Sequence, residues 1–197
     1  VLSTKSVPRR VSDSSACPPL MRIPRPAARP IATVNASGVA IASAQGQVTT
    51  SSAIALFTAA ALSRDHKLPV FTHVYETRPQ AAAARVQSVS LLDLLQKAGL
   101  LNERLNLVHG VWLSAGDIEM LAEARARVVH NPMSNLKLKS GVAPILDLHR
   151  AGIEVALGCD NYSCAETQNI FVAVRMLCLL PAITSPEPHP VSAARAL

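Results

Sequence analysis

Short apolar segments alternate with helical segments along most of this 197-residue chain, and this alternation constrains the fold more than any other feature. Strands are predicted at 69–74, 105–109, 127–130 and 153–158, with a weaker one at 31–44. Helices are predicted at 51–67, 79–100, 117–126, 142–151 and about 165–180, and a loop at 131–141. Strands that alternate with helices form parallel sheets through right-handed crossovers. The sequence therefore predicts a parallel α/β fold, either an open doubly wound sheet or part of a barrel.

Polar side chains at the strand ends favour the barrel. His73, His109, His130 and Asp160 each lie at or just past the end of a successive predicted strand. A parallel arrangement would place all four on one rim, which is where (β/α) barrels carry their active sites. One such histidine alone would more often be a satisfied polar residue at a strand end. The chain also has neither a G-x-G-x-x-G turn nor a phosphate-binding G-x-x-x-x-G-K-[ST] loop. The main sequence evidence for a dinucleotide-binding or nucleotide-binding fold is therefore missing.

The charge of the chain is concentrated in its first 30 residues. The net charge is +6, and residues 1–30 contain six basic side chains, one acidic side chain and six of the 14 prolines. This composition predicts a basic Pro/Arg/Ser-rich disordered arm, with a targeting segment as an alternative. Residues 31–197 carry 13 basic and 12 acidic side chains, which argues against a nucleic-acid partner. Aromatic residues make up only 3%, which leaves almost no platform for base stacking.

Membrane insertion and disulfide bonding are also not expected. No uninterrupted apolar run reaches the roughly 18 residues of a membrane span. The four cysteines form no C-x-x-C pair and no zinc-finger spacing, and no secretory leader is visible. We therefore expect a reduced, cytoplasmic setting.

Two strand ends carry side chains suited to metal-dependent hydrolysis. His73 and Glu76 are three residues apart where a strand turns into a helix, so one can face a metal and the other its water. Asp160 follows an apolar strand and could bind a metal or accept a proton from attacking water. The alternatives are that Glu76 is a solvated first-turn carboxylate and that Asp160 caps the following helix.

Four successive segments resemble one family in particular. They read H-V-Y-E-T (73–77), V-H-G-V-W-L (108–113), H-N-P-M-S-N-L-K-L-K-S-G-V-A-P (130–144) and A-L-G-C-D-N (156–161). Together they closely resemble the amidohydrolase superfamily, in its branch of chlorohydrolases and aminohydrolases that act on triazines, adenosine-type nucleosides, cytosine and guanine. The resemblance covers roughly residues 45–197. It implies a partial (β/α)8 TIM-type barrel, roughly strands 5 to 8 with their helices, in a domain over 31–197.

The resemblance also implies roles for individual residues. His73 would be a metal ligand, Glu76 would shuttle the proton, and His109 would polarise the group under attack. Asp160 would complete the metal shell and take a proton from the attacking water. The H-N-P-x-S-N block would line the substrate pocket through His130, Asn131, Ser134 and Asn135. Asn131 could instead serve only the turn before Pro132, and the two readings carry equal weight.

One departure from the family pattern decides what this chain alone can do. The family supplies two further metal ligands as a His-x-His pair, and the histidines at 66, 73, 109, 130, 149 and 189 contain no such pair. The chain thus looks like a C-terminal half-barrel. The expected function is hydrolytic deamination, or dechlorination, of a nitrogen heterocycle, with a divalent metal that is zinc or, alternatively, iron. The alternative is a catalytically inactive fragment. The expected partner is a small heterocyclic substrate, and the full-length enzyme could form a homo-oligomer.

Overall fold

A computed structural model of the chain describes residues 50–165, 167–187 and 191–196. The predicted basic arm at 1–30 and the weak strand predicted at 31–44 lie outside these residues. Within them, no helix is both long enough and apolar enough to cross a membrane.

The described residues alternate between helices and strands in the predicted order. The strands are β1 (Val70–Val74), β2 (Leu105–His109), β3 (Arg127–His130) and β4 (Val155–Leu157). The helices are α1 (Thr50–His66), α2 (Arg78–Gln87), α3 (Leu91–Lys97), α4 (Ala115–Glu123), α5 (Pro132–Lys137), α6 (Ile145–Arg150), α7 (Tyr162–Ala165), α8 (Ile170–Thr184) and α9 (Ala193–Ala196).

The four strands form one parallel sheet in the order β1-β2-β3-β4. The register pairs Val74 with His109 across β1 and β2, and His130 with Leu157 across β3 and β4. Because neighbouring strands are parallel and joined by helices, their carboxyl ends lie along one edge. The predicted α/β class and the partial-barrel arrangement of adjacent parallel strands are confirmed.

Two of the predicted segments differ from the structure. The helix expected over 79–100 is broken into α2 and α3, because Ser88 adopts a left-handed backbone (φ 52°) and ends α2. Ser90 then begins α3 as its N-cap, with its side chain accepting from the Leu92 amide and Asp93 completing the capping box. The loop expected over 131–141 contains the short helix α5, which Pro132 begins at its first position.

Leucine side chains fill the layer between the sheet and its helices. Leu105 and Leu107 of β2 are fully buried, as are Leu92 of α3, Leu121 of α4 and Leu148 of α6. All five residues of β2 are buried, as expected of a strand paired on both edges and covered by helices. The sheet is thereby fixed as a rigid base for the residues that follow its strands.

A buried carboxylate joins the first turns of two of these helices. Asp117 in α4 is 5% exposed and accepts hydrogen bonds from Ser90 Oγ (2.5 Å) and Ser114 Oγ (2.6 Å). Tyr75, which follows β1, accepts from the Leu91 amide through its hydroxyl (3.1 Å). The end of β1 is therefore tied to α3, and α3 is tied to α4.

Candidate functional site

Three strand ends bring four titratable side chains together. His73 lies in β1, Glu76 two residues past its end, His109 at the end of β2 and Asp160 three residues past β4. His109 Nε2 is 3.9 Å from Glu76 Oε1 and 3.9 Å from Asp160 Oδ2. The His73 and His109 rings are 5.0 Å apart between centroids. His109 and Asp160, which are 51 positions apart in sequence, thus face each other at the carboxyl edge of the sheet.

The backbone turns sharply at each of these strand ends. Tyr75, His109 and Asp160 adopt positive φ angles of 52°, 74° and 61°, a region that residues other than glycine rarely occupy. Such residues persist where the surrounding structure holds them, and they cluster at functional sites. Here the left-handed turns direct the strand ends into the site.

The two oxygens of Asp160 have different surroundings. Oδ1 accepts a hydrogen bond from the Asn161 amide (2.7 Å), and Oδ2 faces His109. Asn161 Oδ1 in turn accepts from Ser163 Oγ at the start of α7 (2.5 Å). One oxygen of Asp160 therefore accepts a hydrogen bond within its own loop, and the other faces the candidate site.

Burial keeps two of the site histidines neutral at neutral pH. The pKa of His73 is lowered mainly by loss of solvation on burial and, to a smaller extent, by the charge of the neighbouring His109. The carboxylates of Glu76 and Asp160 partly oppose this shift. Burial also lowers the pKa of His130 to about 4. A neutral imidazole is the form that binds a metal, so His73 is in the ligand form.

The H-N-P-x-S-N block packs beneath the site. His130, Asn131, Ser134 and Asn135 are all buried, with 1%, 4%, 0% and 1% of their surface exposed. His130 Nδ1 and Ser134 Oγ have no hydrogen-bond partner among the described residues. These two buried polar atoms thus keep unused hydrogen-bonding capacity within the described part of the chain.

Asn131 lies against the end of β4. It precedes α5 but its side chain makes no capping hydrogen bond to the helix. A Cβ built on Gly158 would collide with Asn131 Oδ1, so the glycine makes room for the amide. The Asn131 side chain thus packs against Gly158, which follows β4 and is two residues before Asp160.

Two long-range side-chain contacts were not predicted from the sequence. Asn135 Oδ1 lies 2.7 Å from His109 Nδ1, and Trp112 Nε1 donates to the Ser140 carbonyl (2.8 Å). Both contacts join the end of β2 to the segment that follows β3. The only sequence signal for them is the H-N-P-x-S-N block itself, which carries no information about which partner each side chain meets.

The donor atoms are of the kind that binds a divalent metal, but they are too few for a closed site. An imidazole nitrogen and a carboxylate oxygen suit zinc, which takes four ligands in structural sites and three protein ligands in catalytic ones. Within the described ranges, no group of three or more His, Cys, Asp or Glu side chains is arranged to hold a metal ion. His73 and Asp160 alone would leave a catalytic zinc site one protein ligand short.

Comparison with known sequences identifies relatives that deaminate adenosine derivatives. Over 122 residues the chain is 38% identical to a 5-methylthioadenosine/S-adenosylhomocysteine deaminase of Pyrococcus furiosus, covering 61% of this chain and 29% of that protein. Over 130 residues it is 33% identical to a 5'-deoxyadenosine deaminase of Methanothermobacter thermautotrophicus, covering 66% and 30%. The chain thus spans about a third of the length of these curated relatives.

Solved structures share the fold. An adenosine deaminase from Xanthomonas campestris with bound zinc superposes with a TM-score of 0.68 at 30% identity, over 73% of this chain and 33% of that one. An atrazine chlorohydrolase from Arthrobacter aurescens in complex with zinc shares the fold with a TM-score of 0.68 at 24% identity, over 73% and 32%.

The sequence profile of the amidohydrolase family matches residues 13–197, nearly the whole chain. The match begins inside the segment predicted as a basic arm, and the position of that boundary stays a prediction. The parallel sheet, the edge at which the four titratable side chains meet and this profile agree with one another: the chain belongs to the amidohydrolase family.

Proposed function

We propose that this chain carries the proton-transfer groups and part of the metal site of an enzyme that deaminates a nitrogen heterocycle. The observation that carries the proposal is the meeting of His73, Glu76, His109 and Asp160 at one edge of the sheet, with 3.9 Å from His109 Nε2 to each carboxylate. Members of one family commonly share such a constellation, so its presence here supports the family chemistry.

His73 and Asp160 are the residues that would hold the metal. His73 offers a neutral imidazole, because burial lowers its pKa, and Asp160 offers the carboxylate oxygen that faces the site. Zinc is the preferred ion, since two of the solved structures that share the fold contain it, with iron as the alternative. A divalent ion bound here would supply a nucleophile at neutral pH by lowering the pKa of water to about 7.

Glu76 would move protons, and His109 would contact the reacting group. Hydrolytic deamination forms a carbon–oxygen bond, breaks a carbon–nitrogen bond and needs a proton on the leaving amine. Glu76 would take the proton of the attacking water and return it to that amine, a role supported by its carboxylate facing His109 Nε2 at 3.9 Å. His109 would contact the leaving amine or the tetrahedral intermediate through Nε2, and Asp160 would also accept a proton from the water.

The substrate class we propose is an adenosine-type nucleoside. It rests on the named activities of the two relatives, which are deaminases of adenosine derivatives. The amino group of such a purine is the leaving group, whereas dechlorination would apply to a chlorinated triazine. His130, Asn131, Ser134 and Asn135 are the proposed pocket residues, and His130 Nδ1 and Ser134 Oγ have free hydrogen-bonding capacity for ring nitrogens.

A chimera tests this function while supplying the ligands that the chain lacks. Residues 50–187 would replace the corresponding segment of the Pyrococcus furiosus deaminase, and ammonia release from 5'-methylthioadenosine would be measured with zinc. We expect turnover that a Glu76→Gln change lowers by at least about 10²-fold, the range of general acid–base catalysis. A His66→Ala chimera is the control, because His66 is exposed at the end of α1. A zinc-loaded, folded chimera without turnover would contradict the proposal.

A second candidate is that the chain alone is inactive. It is supported by the absence of a His-x-His pair from the sequence and by the lack, within 50–165, 167–187 and 191–196, of three donors that could hold a metal. The chain assayed beside the chimera tests this candidate, and ammonia release by the chain alone would contradict it. A cytoplasmic location is a further proposal, supported by the free thiols of Cys159 and Cys178.

A further inference from the structure

We propose that Asn135 is a positioning residue for His109. Its side-chain oxygen lies 2.7 Å from His109 Nδ1, across 26 residues of sequence. The contact joins α5 to the end of β2. This proposal rests on the proposed function only for the role of His109, because the contact itself does not depend on any substrate.

Both partners are fixed in place. His109 and Asn135 are each 1% exposed, so neither side chain can exchange its partner for solvent. The Asn135 amide donates to the Asn131 carbonyl (3.0 Å), and the Asn135 carbonyl accepts from the Ser140 amide (2.8 Å). With its backbone held on both sides, Asn135 presents its side chain to His109 in one orientation.

The chemistry of an amide oxygen fixes what the His109 ring can do. Such an oxygen only accepts hydrogen bonds, so His109 Nδ1 must carry the hydrogen. Nε2 is then the one ring nitrogen left to act, and it points between Glu76 and Asp160 at 3.9 Å from each. Asn135 therefore selects both the orientation of the ring and the nitrogen that faces the reacting group.

The assignment of the two Asn135 amide atoms determines which nitrogen of His109 carries the hydrogen. In the structure the side-chain oxygen of Asn135 contacts His109, and its Nδ2 is buried without a partner among the described residues. If the amide were turned by 180°, Nδ2 would donate to Nδ1, and Nε2 would carry the hydrogen instead. That arrangement is the direct opposite of the proposal, so the location of one hydrogen decides between them.

Nitrogen NMR of the metal-free chain measures this hydrogen. The 197-residue chain would be labelled with ¹⁵N-histidine and its ring signals recorded at pH 8, with His109 assigned by signal loss in a His109→Gln variant. We expect His109 Nδ1 in the protonated chemical-shift range. An unprotonated Nδ1 would overturn the proposal, and this measurement on the unchanged chain needs neither activity nor a variant at 135.

Variants at Asn135 separate positioning from packing. Asn135→Ala should shift His109 Nδ1 toward the unprotonated range, whereas Asn135→Asp keeps an acceptor oxygen and should restore the protonated signal. Asn106→Ala is the matched control, because Asn106 is a buried asparagine on the same strand that donates to Val70 and Arg104 carbonyls. Unchanged His109 signals in a folded Asn135→Ala chain would overturn the proposal, and so would equal shifts in the control. If Asn135→Ala does not fold, the Asp variant decides: loss of the protonated signal there also refutes it.

Failure of this proposal is distinguishable from failure of the proposed function. The NMR result reports how the ring is held in the metal-free chain, while ammonia release by the chimera reports hydrolysis. A protonated Nδ1 together with an inactive chimera would keep the positioning role and remove the function.

Discussion

Replacing Asp117 with alanine should destabilise the chain strongly, although the side chain lies outside the candidate site. The carboxylate accepts three hydrogen bonds: one from Ser90 Oγ (2.5 Å), one from Ser114 Oγ (2.6 Å) and one from the Ser114 amide (2.9 Å). It is 5% exposed, so solvent does not replace these bonds in the folded state.

The expected magnitude follows from the three contacts. Hydrogen bonds to a charged group contribute about 1.5–3 kcal/mol each, which gives an upper limit of several kcal/mol. Removal of a buried charge offsets part of that by relieving its desolvation, and the exposed Ser114 can regain water. We therefore expect a loss of about 3 kcal/mol in the free energy of unfolding.

Urea denaturation followed by circular dichroism provides the assay. With a slope of about 2 kcal/mol per molar urea, the midpoint should fall by about 1.5 M. Asp93→Ala is the matched control, because Asp93 also caps a helix but accepts one hydrogen bond, from the Ser90 amide at 3.3 Å. It should lose about 1 kcal/mol or less. Equal losses for the two variants would refute the reasoning that the Asp117 contacts join α3 to α4.

Three further predictions concern the site and the chain as a whole. Gly158→Ala should cost about 1–3 kcal/mol, because its Cβ meets Asn131 Oδ1, and adding Asn131→Ala should recover most of that loss in a urea titration. The free energy of unfolding should be highest above pH 6.5 and should fall by about 3 kcal/mol as the pH drops to about 4. The reason is that His130 binds a proton in this pH range in the unfolded chain but not when it is buried in the folded one. A His130→Asn chain whose stability falls equally with pH would contradict this. The chain alone should release no ammonia from aminopurine, pyrimidine or triazine substrates, and zinc-dependent release above a Glu76→Gln control would show otherwise.

The strands and their shared edge could be predicted because the signals are local. Each strand is a short apolar run, and His73, His109 and His130 stand at the ends of three of them. Parallel pairing then brings the ends together without further information. The break between α2 and α3 was not predicted, since the left-handed backbone of Ser88 depends on how both helices pack.

Contacts between side chains that are far apart in sequence could not be predicted, for a different reason. The hydrogen bond from His109 to Asn135 depends on where α5 lies against β2, and the fit of Asn131 over Gly158 depends on the spacing of β3 and β4. Residue types alone specify neither distance. The family pattern named Asn131 and Asn135 as pocket residues, and their roles in binding stay predictions.

Zinc binding by the metal-free chain is the most direct test of the claim that His73 and Asp160 form part of a metal site. Calorimetric titration would compare the unchanged chain with His73→Ala, Asp160→Asn and the exposed control His66→Ala, each checked for folding by circular dichroism. We predict weak binding of one zinc ion, lost in both site variants and retained in the control. Binding that survives both site substitutions, or no binding by the unchanged folded chain, would contradict the account.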